Sequence, residues 1–142
     1  MKQRNIPEKT FQLIKNNIPF SCVDLILINE NDEFLLVKRK IEPYKNKWCL
    51  PGGIVKKGQK LESRLHEVAK KELGIITYDI RPLGFYEKIY PRRHDISHCF
   101  ICRTKHDSIT LDFQASSARF FKQIPNNTAQ FHAIMLNDAG FK

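Results

Sequence analysis

The chain has 142 residues, 42% of them hydrophobic, and a formal net charge of +9. That length allows one domain with one sizeable core and excludes two, and the apolar content excludes a disordered chain. The apolar run from Val23 to Ile28 is strand-length and far too short to cross a membrane, and Met1 to Asn5 is polar and basic with no signal-like stretch, so the expectation is a cytoplasmic protein. The positive charge suits a phosphate-rich partner. The lysines are scattered and no basic strip is interleaved with aromatics, so the charge reads at least equally as a solvated lysine-rich surface and gives only weak support to an anionic substrate.

In chain order, Pro7 to Lys15 reads as a short amphipathic helix with Phe11, Ile14 and Ile18 on one side. Phe20 to Ile28 and Glu33 to Lys40 read as strands joined by a turn at Asn29 to Asp32. Ile41 to Lys47, with Pro43 and Asn46, reads as a loop, and Trp48 to Val55 as an extended segment broken by Pro51-Gly52-Gly53. Leu61 to Leu73 is the clearest helix, because Leu61, Leu65, Val68 and Ala69 recur at helical spacing and Gly74 is a natural stop. Strands are expected at Tyr78 to Tyr86 and Ile96 to Arg103, and a last helix at Thr128 to Leu136 with Phe131, Ile134 and Met135 on one face. Pro91-Arg92-Arg93-His94 reads as an exposed basic loop. Strands mixed with a few helices predict an α/β sandwich, a mixed sheet flanked by helices on both faces.

Four cysteines are present: Cys22, Cys49, Cys99 and Cys102. Cys99 and Cys102 have metal-site spacing, but on a strand positions three apart face opposite sides of the sheet. Buried free thiols are therefore expected.

The segment Gly53 to Ile75 resembles the Nudix box, G-x5-E-x7-R-E-U-x-E-E-x-G-U with U aliphatic, and fits without gaps. Gly53 opens it, Ala69 takes the small apolar slot, and Gly74 and Ile75 close it; Trp48-Cys-Leu-Pro-Gly-Gly53 matches the family's approach to the motif. The resemblance implies a single Nudix domain over 1–142, an α/β/α sandwich, and cleavage of a nucleoside diphosphate linked to another group by a divalent cation and water. Acids at i and i+4 on a helix can hold such a cation together, and it neutralises charge on the leaving group. The slots for the first Glu, the Arg, the catalytic Glu and the first Glu of the closing pair hold Gln59, Glu67, Val68 and Lys71; only Glu72 keeps its acid. Glu67 and Lys71 exchange the usual signs at i, i+4 in the favoured orientation, so an ion pair is expected there.

A subgroup with a similarly depleted box is the GDP-mannose mannosyl hydrolases. Pro19 to Leu27, Glu33 to Arg39, Glu42-Pro43 and Trp48 to Gly53 look like its N-terminal half, over roughly residues 7 to 75. In that subgroup water displaces GDP from the anomeric carbon, with Mg²⁺ (or Mn²⁺) on the diphosphate. The resemblance implies metal ligation by the Gly52 carbonyl, Glu72 and Gln114, and substrate contact by Asp24 and Arg39, the latter forking onto phosphate. The subgroup's base is a His where Ala115 stands, and a phosphate-binding Arg is Ile54 here. His98 and His94 are the candidate replacement bases, against a reading as ordinary core or surface histidines. Gln114 reads equally as loop polarity, Arg39 as a solvated residue, and Trp48 as core ahead of a nucleobase platform. Asp24, inside an apolar strand, must face a polar cleft or a partner.

Three functions follow. The leading one is a Mg²⁺-dependent hydrolase of a nucleotide sugar, GDP-mannose-like. The second is a pyrophosphohydrolase attacking phosphorus. The third, to which the altered positions 68, 71 and 115 point, is a weak or inactive nucleotide-binding domain. The 142 residues hold no DNA-binding segment beside the motif, which points away from the Nudix transcription regulators. The family resemblance is compatible with a homodimer.

Overall fold

The computed structural model describes residues 6–105, 109 and 115–142. Nine residues from Phe20 to Ile28 form β1, and all but Ser21 are buried, because helices cover both faces of this central strand. Around it lie β2 (Phe34–Arg39), β3 (Trp48–Cys49), β4 (Gly52–Ile54), β5 (Tyr78–Tyr90), β6 (Arg93–Arg103) and β7 (Ala115–Phe121). They make one mixed sheet in the order β3-β2-β1-β6-β5, with β4 on β1 and β7 on β2. β1 and β6 run parallel, and the other pairings between named strands are antiparallel.

One face of the sheet carries α2 (Leu61–Glu67), whose Leu65 packs with Val23, Leu25, Leu27, Leu35, Val37 and Phe100. The helix then widens into a π-helical segment, Val68–Glu72, and ends at Gly74, which takes a φ of +67° that suits glycine. The opposite face carries α3 (Gln130–Asp138), which packs Phe131, Met135 and Leu136 on Ile26, Ile28, Phe34, Leu36 and Cys99. α1 (Glu8–Asn17) lies at the Phe20 end, with Phe11 stacked on Phe20 at 5.2 Å. The sandwich expected from the pattern is the one formed. Cys99 and Cys102 enter opposite cores, as their strand spacing demands, and burial pushes both thiols up.

Several local expectations change. Ile134 is 46% exposed, and its place on the buried face of α3 goes to His132 and Leu136. Ile18 lies beyond α1 and is exposed. Pro91 and Arg92 alone form the turn after β5; Arg93 and His94 belong to β6, and the Arg93 guanidinium pairs with Asp95 at 2.6 Å over the Phe20 ring. A basic side chain with a buried acid two residues away is drawn into the sheet, so the tetrapeptide is not an exposed loop. The strand β7 lay outside the expected elements.

Candidate functional site

The motif occupies the β4–α2 connection and α2 itself. Leu25 N–H donates to the Pro51 carbonyl at 2.9 Å and Val55 N–H to the Ser21 carbonyl at 2.8 Å. Alternate residues of β4 thus bond to β1, which turns the Gly52 carbonyl away from it. Gly52 stands opposite Asp24. A methyl group on Gly52 would run into Asp24 Oδ1 and the Val23 carbonyl oxygen. One of these is backbone and cannot swing aside, so Gly52→Ala is expected to destabilise the fold by roughly 2–4 kcal/mol. Urea unfolding checks this, and a variant as stable as the wild type would mean that β4 can shift away from β1 to admit a methyl group.

Glu67 is the hub of the box. It accepts from Arg64 Nη1 at 2.6 Å, Lys71 Nζ at 3.0 Å and Gln59 Nε2 at 3.0 Å, with Lys56 Nζ at 3.9 Å. The sign-exchanged pair expected at Glu67 and Lys71 is present. Arg64 also donates from Nε to the Ile54 carbonyl at 2.8 Å, tying the helix to the end of the glycine turn. Partial burial raises the Glu67 pKa, and the bonds from Gln59, Lys71 and Arg64 overcome it, lowering the carboxyl to about 2 from 4.5. A depressed carboxyl stabilises the fold above pH 4.5, and that contribution is lost as pH falls toward 2. Glu67→Gln is expected to cost about 1–2 kcal/mol at pH 7, allowing for solvent screening. The cost should vanish in acid, and a cost equal at pH 7 and pH 2.5 in chemical denaturation would refute the assignment. Val68, where the motif places its catalytic acid, is fully enclosed in the α2-side core. Glu72 is half-buried at the end of the π-helical segment.

On the α3 side, Asp24 is 8% exposed and accepts from the Ser97 hydroxyl. His132, 7% exposed, accepts the Leu50 N–H on Nδ1 at 3.0 Å, which leaves its ring proton on Nε2, 3.7 Å from Asp24 Oδ1. Burial raises the Asp24 carboxyl to about 7, against the Ser97 bond, and lowers the His132 imidazole to about 3. The two therefore do not form an ion pair despite their closeness: the imidazole is neutral, and 3.7 Å is too long for a hydrogen bond. Arg39 acts electrostatically on both. Its Nε donates to the carbonyls of Pro43 at 2.6 Å and Ile41 at 3.3 Å, and Nη2 to Glu42 at 3.4 Å. The polar surroundings Asp24 requires are thus Ser97, His132 and Arg39.

The structure sets Gly52 against Asp24, with Arg39 acting on Asp24 electrostatically. His98 pairs with Val23 in the parallel ladder, so it lies on the α2 side of the sheet, opposite Asp24. His94 is bonded to Glu87 at 2.8 Å. Trp48 packs its edge on Phe121 at 4.9 Å, within the α3-side core. Gln114 lies outside the described residues. Among the described residues, no three His, Cys, Asp or Glu side chains group as a metal site. Ser97 and His132 were missed from sequence; the signal for His132 was a lone histidine within the apolar run Phe131 to Leu136.

A family model for the NUDIX domain matches residues 19–133. The chain belongs to the Nudix family. Among curated relatives, the chain is 32% identical over 126 residues to the low-salt glycan biosynthesis protein Agl8 of Haloferax volcanii, covering 82% of this chain and 80% of that one. It is 35% identical over 105 residues to an ADP-ribose pyrophosphatase of Methanocaldococcus jannaschii, covering 72% of this chain and 62% of the relative. A MutT NUDIX hydrolase from Burkholderia pseudomallei shares the fold with a TM-score of 0.78 at 20% identity, covering 86% and 98% of the two chains. The NUDIX domain of Shewanella oneidensis NrtR, crystallised with ADP ribose, does so at 0.74 and 20%, covering 95% and 92%. Among the described residues no helix is long and apolar enough to cross a membrane.

Proposed function

We propose that the chain is a divalent-cation-dependent hydrolase of a nucleoside diphosphate sugar, GDP-mannose-like, in which water displaces the nucleoside diphosphate from the anomeric carbon. The observation that carries the reading is the state of the Nudix helix. Val68 is sealed in the core and Glu67 is the hub of an ion-pair network with Arg64, Lys71 and Gln59, and Glu72 is the acid the chain keeps at its motif position, the one assigned to the cation. Family membership and a relative named for glycan biosynthesis support a nucleotide-sugar substrate.

The donor set fits Mg²⁺ or Mn²⁺. Both take hard oxygen ligands, and Mg²⁺ is commonly held by one or two carboxylates together with waters and substrate phosphates. Here the Gly52 carbonyl, turned away from β1, Glu72 and Gln114 would hold the ion. When bound, it supplies charge neutralisation on the departing diphosphate. Arg39 is fixed by three carbonyls through Nε and Nη2 and has further N–H donors to offer a phosphate oxygen. Asp24, enclosed on the α3 side with the Ser97 hydroxyl bonded to it, keeps the substrate-contact role that the family resemblance gives it. With Ala115 in the usual base position, His98 on the α2 side of β6 is the candidate to take the proton from water. The same reading carries a homodimer as the assembly.

Attack at phosphorus is the second reading, favoured by the relative named ADP-ribose pyrophosphatase. A panel of nucleoside diphosphate sugars and ADP-ribose with Mg²⁺ or Mn²⁺ separates the two by products. Free sugar with nucleoside diphosphate supports carbon attack, and two monophosphate products support phosphorus attack. Binding without turnover of any compound would overturn both and leave a nucleotide-binding domain.

A further inference from the structure

We infer that His132 is a positioning residue, holding the turn that carries the Gly52 carbonyl from the α3 side of the sheet. The inference rests on the cation site proposed above. An imidazole inside the apolar face of α3, beside Phe131 and one turn from Met135, is costly to bury unless its nitrogens are used. His132 Nδ1 takes the Leu50 N–H, two residues before Gly52, while the Pro51 carbonyl is held by Leu25 of β1. The turn is thus gripped on both sides, by β1 through Pro51 and by α3 through Leu50. The same helix end is tied to the strand before the turn: Trp48 N–H donates to the Asn127 carbonyl and Ala129 N–H to the Trp48 carbonyl, both at 2.9 Å. The other ring nitrogen looks onto Asp24 Oδ1, the atom that leaves no space for a side chain on Gly52. Tyr44, 5.7 Å from the imidazole centroid and bonded to Tyr90 at 3.0 Å, packs beside the ring. A rotation of this imidazole would release the amide of Leu50. Apolar packing alone would not need a nitrogen at the δ position.

Asn places an acceptor near the Nδ1 position, and Gln places it too far out. Binding of Mn²⁺ to the whole chain, read by electron paramagnetic resonance of the free ion, is therefore expected to weaken about 10- to 100-fold in His132→Gln and to return to within about three-fold of wild type in His132→Asn. Amide exchange at Leu50 should speed up in the Gln variant and not in the Asn variant. In the wild type, Mn²⁺ should broaden the Gly52 and Leu50 amide signals, a result that needs no variant to fold. Equal Mn²⁺ affinity in wild type and His132→Gln, or equal losses in Gln and Asn, would overturn the inference; sharp Gly52 and Leu50 signals with Mn²⁺ bound would overturn the cation site, and the inference with it. Wild type and Glu72→Gln binding Mn²⁺ alike would likewise overturn the cation site itself, and the inference with it.

Discussion

Glu72→Gln is expected to lower kcat on the order of 10²–10³-fold at saturating Mg²⁺, equivalent to about 3–4 kcal/mol of lost transition-state stabilisation. The change keeps the shape of the side chain and removes one negative charge. None of the other altered motif positions replaces that charge. Val68 is apolar and enclosed. Glu67 is ionised far into acid, but its two oxygens are taken by Arg64, Lys71 and Gln59. Gln59 is itself committed, donating to Glu67 and accepting the Lys56 N–H at 3.1 Å. A box with several acids spreads the cation over them and softens the loss of one; in the proposed site the whole loss would fall on one carboxylate. Steady-state rates against Mg²⁺ and Mn²⁺, with a thermal melt to show that the variant is folded, make the measurement. A folded variant turning over at the wild-type rate would remove Glu72 from the proposed ligand set.

The same box shows what a sequence can and cannot disclose. The helix from Leu61 was legible because Leu61, Leu65, Val68 and Ala69 keep one face apolar, and that face is the one buried. The widening to a π-helical segment at Val68 left no mark, since one extra residue in a turn changes neither composition nor the apolar stripe. The Glu67–Lys71 pair followed from spacing on one helix, whereas Arg64 joining it depended on where the glycine turn lies in space. Asp24 announced a need for polar neighbours by standing in an apolar strand. Which neighbours met that need was hidden, because Ser97 and His132 lie 73 and 108 positions further along the chain and reach it only through the parallel β1–β6 pairing and the docking of α3. Arg93 read as loop and Asp95 fell in no expected element; their ion pair in the sheet reflects a strand that begins three residues earlier than its apolar pattern does.

That buried centre carries the second large expectation, a pair of opposed pH dependences in metal-free protein held in chelator. Burial raises the Asp24 carboxyl from 3.8 to about 7, so its contribution to stability is full below pH 3.8 and is lost as pH rises through 7. Burial lowers the His132 imidazole from 6.5 to about 3, so the unfolded chain takes up a proton that the folded chain refuses, and stability is lost as pH falls from 6.5 toward 3. Each effect amounts to at most about 5 kcal/mol across its window. Between pH 3.8 and 6.5 the two slopes oppose each other, and the wild type conceals both. Removing one partner uncovers the other. Asp24→Asn is expected to gain stability as pH rises from 4 to 6.5, and His132→Asn to lose it over the same range. Glu67 titrates mainly below that window and contributes equally to both variants, so the difference between their curves isolates the pair. Urea denaturation at half-unit steps measures it. Parallel curves for the two variants would mean that the carboxyl and the imidazole are solvated in a way their enclosure does not allow.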